Sequence, residues 1–255
     1  KTILFGFVIT IVGLLLCFSC KEVDDSQKAD EQFDNYITRM VGFTISPISG
    51  NTGEDGTQAT FTVKLKSQPS GSVVINISIS DTSEGVVSAS NLIFKINNWL
   101  INQTVTVTGV NDDLIDGNQS YDIVLAPATG TDTYYFGLDP SDVSVINIDN
   151  DIAGFTIESI SGNTTEALGT ATFKVKLNSQ PTADVTISVS SSDTGEGTVS
   201  SSSLTFTSEN WNANQTITVT GVNDDLADGN QSYSIILAAA TSSDSDYNGL
   251  NPNDV

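Results

Sequence analysis

The sequence predicts an all-β chain: tandem antiparallel β-sandwiches behind an N-terminal export segment. Three observations predict it. Residues 42–143 return at 154–255 without a gap, at a constant offset of 112. A repeat of that length is a whole domain, since solenoid units run to only about 20–50 residues. Inside each copy, apolar and polar residues alternate with a period of two, the pattern of strands buried on one face. Ahead of both copies stands an apolar run, Thr2 to Phe18, after a single Lys1.

That first segment, "KTILFGFVITIVGLLLCFSC", has the short basic start and apolar stretch of a signal peptide. Ser19 is small and precedes Cys20, and Leu16 lies four before it. The segment resembles a bacterial lipoprotein signal, which implies lipid attachment at Cys20. It departs from that pattern at Cys17, where a leucine is usual, and at the bulky Phe18. An uncleaved membrane helix is the rival, because a span needs roughly 18 apolar residues. Residues 21–41 form a polar tether, so the expected divisions are 1–20, 21–41, 42–153 and 154–255. On either reading the remainder is exported.

The strands follow in order. Phe61, Val63 and Leu65 alternate with Thr62, Lys64 and Lys66; Val105 and Val107 alternate with threonines; Tyr121, Ile123 and Leu125 come next. Their twins are Phe173, Val175, Leu177, Ile217, Val219, Tyr233, Ile235 and Leu237. About seven such runs per copy, separated by Gly, Asn, Asp and Ser turns, predict a sandwich. Trp99 and Trp211 are read as core plugs, and Lys64 and Lys66 as outer-face residues that discourage edge pairing. "GLDPSDV" at 137–143 continues into "SVINIDND", whereas its twin "GLNPNDV" ends at 255. The expected consequence is a second sandwich without its last strand, a fragment of a longer array.

Charge narrows the function. The net charge is −22, with 13 acids against three bases over residues 42–153 and 12 against two over 154–255. Each copy repels itself unless something positive binds, and nucleic acid is excluded as a partner for want of clustered Lys and Arg. There is no histidine, and the only cysteines are Cys17 and Cys20. Ser-His-Asp and Cys-His nucleophiles, His/Cys zinc sites and a disulfide framework are thereby ruled out. Oxygen ligands remain, and they suit hard cations.

The carboxylates stand at strand ends. "TGVNDDLIDGNQSY" at 108–121 returns as "TGVNDDLADGNQSY" at 220–233 with one change. This is no EF-hand, because counting from Asp224 places Leu226 and Ile235 where that loop needs ligands. Glu54 and Glu166 follow the first strand, Asp81 and Asp193 end the third, and Asp149 and Asp151 close the first copy. Alternate loops of an antiparallel sandwich meet at one pole, so these acids are expected to converge there. Turn chemistry alone also favours Asp and Asn at such places. Glu84 and Glu196, each before a glycine, are read as turn caps. Asp193-Thr194-Gly195 matches an aspartic-protease tripeptide. Its twin is Asp81-Thr82-Ser83, inside a complete repeat of its own, so catalysis is not expected there. Paired glycosidase carboxylates stay open from sequence, although repetition of the cluster speaks against a catalytic centre.

At these positions the chain resembles the Calx-beta domain of sodium–calcium exchangers, integrins and bacterial surface proteins. The residues that carry the likeness are Glu54-Asp55-Gly56-Thr57, Asp81, Asn111-Asp112-Asp113-Leu114-Ile115-Asp116 and Asp149-Asn150-Asp151-Ile152-Ala153-Gly154. The resemblance implies an immunoglobulin-like sandwich that binds Ca2+. It implies ligands at Glu54, Asp81, Asp112, Asp113, Asp116, Asp149 and Asp151, with the Leu114 carbonyl. In the second copy it implies Glu166, Asp193, Asp224, Asp225, Leu226 and Asp228. Asn111, Asn223 and Asn150 replace acids of the family pattern, which implies weaker affinity or fewer ions. The expected protein is a non-enzymatic, membrane-anchored, calcium-binding stalk or adhesion array on the cell surface or in the periplasm. The alternative is a module for glycan or host matrix protein, whose contact surface would be the loops 127–142 and 239–254 with Tyr134, Tyr135 and Tyr247.

Overall fold

The computed structural model describes residues 41–223, 227 and 229–255; the expectations for Cys20, Asp224, Asp225, Leu226 and Asp228 fall outside them. Every regular element among the described residues is a β-strand. No helix there is long and apolar enough to cross a membrane.

The first sandwich holds β1 (Phe43–Ile45), β2 (Thr52–Gly53), β3 (Gln58–Leu65), β4 (Val73–Ile79), β5 (Gly85–Val87), β6 (Asn91–Phe94), β7 (Gln103–Gly109), β8 (Gln119–Leu125), β9 (Thr129–Gly130) and β10 (Val143–Ile148). One sheet runs β1-β3-β7-β5; the other runs β2-β10-β8-β4-β6, with β9 beside β4. The alternation in sequence sets which face of each strand is buried. Along β3 the pattern places Ala59, Phe61, Val63 and Leu65 inward, and β7 answers with Val105 and Val107. Phe61 pairs with Val105 and Ala59 with Val107, so a one-residue slip would turn the whole apolar set to water. The facing sheet adds Ile75, Phe94, Tyr121, Ile123 and Val145 to the same core. Trp99 packs against this core half-buried, as expected of a plug. The edge-protecting role expected of Lys64 does not fit, because β3 lies between β1 and β7. Lys64 instead occupies the outer face of an interior strand.

The second sandwich repeats the plan with β11 (Phe155–Ile157), β12 (Thr170–Leu177), β13 (Val185–Ser191), β14 (Gly197–Val199), β15 (Ser203–Phe206), β16 (Gln215–Gly221) and β17 (Ile235–Leu237). Its sheets run β11-β12-β16-β14 and β15-β13-β17. Phe173, Val175, Ile187, Phe206, Ile217 and Tyr247 fill its core. Val255 exchanges two backbone hydrogen bonds with Ile235, at 2.7 and 3.0 Å, in the manner of paired strands.

One backbone contrast separates the copies. The turn after β2 puts Gly56 at φ +83°, and its twin Leu168 at φ +62°. The left-handed region costs an L-residue with a Cβ about 1–2 kcal/mol, more than glycine loses in chain entropy. Leu168 is also 66 % exposed, so its side chain gains little from packing. Leu168→Gly is therefore expected to stabilise the second sandwich by about 0.5–1 kcal/mol, read as a higher urea midpoint at unchanged slope.

Candidate metal centre

The pole at which β7 ends and β10 leaves is assembled by close backbone approach. A Cβ on Gly109 would collide with the Gly53 carbonyl oxygen and with Asn147 Oδ1. Glycine there lets β7 lie against the turn that carries Glu54. The Asn147 amide donates to the Val110 carbonyl (3.0 Å), and the Glu54 backbone N–H donates to the Ile148 carbonyl (3.1 Å). The "NDDLID" loop is thus held between the β2 turn and the β10 exit.

Glu54 is 4 % exposed although it is ionisable. One of its carboxylate oxygens accepts the Asn150 amide at 3.0 Å. One ligand oxygen each from Glu54, Asp112 and Asp151 lies within 4.8 Å of the others. Burial and the neighbouring charges of Asp149, Asp112 and Asp151 push the Glu54 carboxyl up to about 7, against the Asn150 hydrogen bond that lowers it. Burial likewise raises Asp151, helped by Asp113, Asp149 and Asp112, while a hydrogen bond with Glu54 lowers it. Asp151 Oδ2 is buried and has no hydrogen-bond partner. A buried acceptor without a donor, in a nest of carboxylates, lacks the positive partner that such burial requires.

The other first-copy candidates take distinct places. Asp149 is turned into the loop framework, its two oxygens accepting the Asp151 amide (2.7 Å) and the Gly117 amide (2.8 Å). Asp112 also receives the Leu114 amide at 2.8 Å. The Asp116 carbonyl accepts from the Gln119 side chain at 2.8 Å, and Asp116 is exposed. Asp113 is exposed and acts on Asp151 through its charge. Asp81 stands in neither acidic group; it closes a turn onto the Ser83 amide and hydroxyl, and those bonds lower its pKa. Glu84 is the acid that sequence reasoning passed over. It is 6 % exposed and forms a second group with Asp112 and Asp116 inside the first sandwich, again within 4.8 Å. Its position before Gly85 looks like a turn cap, and only the approach of β5 to β7 brings it beside the loop.

The second sandwich differs at the matching turn. Glu166 is exposed, where Glu54 is buried. Asp193 accepts the Gly195 amide at 2.9 Å, a turn bond like that of Asp81. The proposed contact tyrosines are also corrected: Tyr135 and Tyr247 are 1 % and 0 % exposed. The Tyr135 hydroxyl bonds the Ser67 amide, hydroxyl and carbonyl at 2.9–3.1 Å, and Tyr247 does the same with Ser179. Both are pillars that hold a loop on the core, and only Tyr134 reaches the surface.

Fold and acidic pole together define a tandem β-sandwich repeat protein with a carboxylate-rich loop cluster described on the first repeat. The Calx-beta domain profile matches it twice, over residues 34–151 and 149–254, and the two matches share the exit Asp149–Asp151. The chain belongs to the Calx-beta domain family. Among solved structures it is similar to the calcium binding domain CBD12 of CALX1.1, at 16 % identity and TM-score 0.38, covering 80 % of each chain. It is also similar to CBD12 from CALX1.2, at 15 % identity and TM-score 0.35, over 80 % of this chain and 84 % of that one. The E. coli chaperone DraB matches at 8 % identity and TM-score 0.31, over 84 % and 96 % of the two chains. No sequence among curated proteins matches it.

Proposed function

We propose that this chain is an exported, membrane-anchored array of calcium-binding sandwiches that serves as a surface stalk or adhesion protein. The single observation that supports calcium is the uncompensated group Glu54, Asp112 and Asp151, with its buried, partnerless Asp151 Oδ2. Calcium takes six to eight oxygens at about 2.3–2.6 Å, so ligand oxygens within 4.8 Å of one another suit a single ion. Asp113, Asp116, Asp149, Glu84 and the Leu114 carbonyl stand on the same loops or beside them. Zinc and copper prefer nitrogen or sulfur, which the chain does not offer here. The ion would supply charge neutralisation and loop order rather than catalysis, which accords with a module that recurs with its domain.

Affinity in the millimolar range is expected, because amides replace several acids and exported modules bind at about 10⁻⁴–10⁻³ M. At tenfold excess over such a constant, calcium stabilises by roughly 1.4 kcal/mol, a shift of several degrees in melting temperature. Calorimetric titration of the metal-free chain with calcium, and with magnesium as control, tests this. No heat and no melting shift up to several millimolar calcium would sink the calcium reading. Labelling with radioactive palmitate in a bacterial host, lost in Cys20→Ala, tests the anchor separately.

A further inference from the structure

The two sandwiches also differ at the pole opposite the acids. In the first, residues 65–68 hold two loops together. The Leu65 amide donates to the Trp99 carbonyl (3.0 Å) and the Gln68 side chain to the Ile96 carbonyl (3.0 Å). The Ser67 amide meets the Tyr135 hydroxyl at 3.1 Å. Both loops are thus tied to one short segment at the end of β3. Their tips expose Ile96 (63 %), Leu100 (60 %), Ile101 (62 %), Tyr134 (49 %) and Phe136 (65 %).

The same five positions in the second sandwich are Ser208, Asn212, Ala213, Asp246 and Asn248, all exposed. The fold therefore does not require the apolar side chains; an equivalent pole exists without them. The charge changes in step. Lys66 and Lys95, both exposed, become Asn178 and Thr207, while Asn97 becomes Glu209. Between residues 131 and 142 the acids are Asp132, which is buried and spent on amides, and the exposed Asp139 and Asp142, the latter accepting the Leu125 amide. The first pole is thus apolar and aromatic, with two exposed lysines, Lys66 and Lys95, beside Asp139 and Asp142, within a chain of net charge −22.

We propose that this pole of the first sandwich docks on an anionic lipid bilayer. Exposed aromatic and aliphatic loop tips with adjacent lysines match the interface in both chemistry and charge: the rings and chains enter the headgroup boundary and the ammonium groups meet the phosphates. The place in the chain agrees. The described chain begins at this pole, where the Gly42 carbonyl accepts the Lys66 amide at 2.8 Å. The inference rests on the reading of residues 1–20 as a membrane anchor. Docking then seats the sandwich on the surface, with its acidic pole directed away. The second repeat, further along the chain, has the polar version of the same loops.

The test uses the full chain, purified in detergent and reconstituted into phosphatidylglycerol vesicles with brominated acyl chains, which quench tryptophan on contact. Ile101→Trp and its twin Ala213→Trp are compared, each keeping the native Trp99 and Trp211. The expected result is that the added tryptophan at 101 is quenched at least about twofold more than that at 213. The further changes Leu100→Asn, Tyr134→Asp and Phe136→Asn, which import the residues of the second repeat, should remove the difference while the chain still floats with the vesicles. If the chain floats but positions 101 and 213 quench alike, docking is overturned and the anchor stands. If it does not float, the anchor reading fails and docking fails with it. If quenching is equal and the three-residue variant abolishes self-association in sedimentation, the patch is a contact between copies, and the lipid proposal is wrong.

Discussion

Glu54→Gln is expected to stabilise the metal-free first sandwich at pH 8 by up to roughly 3 kcal/mol and to abolish its response to calcium. Glu54 titrates near 7 in the folded chain against 4.5 ordinarily. Between those values the folded state keeps a proton that the unfolded state releases. Stability of the metal-free protein therefore falls as pH rises from about 4.5 to about 7, and the full cost is present above that. Asp151, raised as well, adds in the same direction. Glutamine removes the charge and keeps an oxygen for the Asn150 amide. At pH 4, below both values, the variant and the parent should melt together. Saturating calcium should reverse the order at pH 8, since the ion needs the carboxylate that the variant lacks. Glu166→Gln is the control: that side chain is exposed, and its replacement should leave the stability in chelator unchanged. Scanning calorimetry in chelator and in calcium, at both pH values, reads all of this. A variant no more stable than the parent at pH 8 in chelator would refute the account of the acidic pole.

Asp132→Ala carries the second large effect, a loss of about 3–5 kcal/mol. This buried carboxylate accepts the Ser70 amide (2.6 Å) and hydroxyl (2.9 Å) through one oxygen, and the Tyr134 (2.9 Å) and Tyr135 (3.0 Å) amides through the other. Burial pushes its pKa up, but the Tyr135 and Ser70 bonds outweigh this and hold it below the usual carboxylate range. Its stabilisation is therefore present above the unfolded pKa and is lost only as pH drops through the lowered one. Alanine leaves these donors and the Gly71 amide (3.4 Å) without an acceptor and frees the loop that seats Tyr135. Asp132→Asn should recover part of the loss, because its amide oxygen can still accept from one side. Asp244 holds Thr182 and Asp246 in the same manner, so Asp244→Ala should destabilise the second sandwich. Urea unfolding of each variant gives the numbers, and acid titration should show the Asp132 contribution persisting to lower pH than that of an ordinary aspartate.

The strands were legible because their information is local. Phe61-Thr62-Val63-Lys64-Leu65 states which face is wet, and the second copy states it again. The site was legible in part. Glu54, Asp112 and Asp151 lie on three loops whose meeting follows from the antiparallel plan, and the structure brings them together. That Glu54 is buried depends on how closely Gly109 approaches Gly53, which no local pattern encodes. Asp81 looks equivalent in sequence, yet Ser83 two residues on engages it in a turn. Glu84 shows the reverse: it resembles a turn residue and packs with acids brought from a distant loop. Tyr135 misled for the same reason, since its partner Ser67 is 68 residues away and only the fold brings the two together.

Chain entry and exit at opposite ends of the first sandwich have a mechanical consequence. A pull along the chain enters through β1, whose three residue pairs with β3 run from Phe43–Leu65 to Ile45–Val63. It leaves through β10, where the Glu54 amide grips Ile148. Because the strands lie along the line of force, their hydrogen bonds are loaded together in shear, and forced unfolding is governed by the barrier to rupture rather than by equilibrium stability. An ion bound by Glu54 and Asp151 would bridge the last of those strands to its neighbour turn. The yield force of a single molecule would then rise with dissolved calcium, so that ion concentration alone would set how far the chain resists extension.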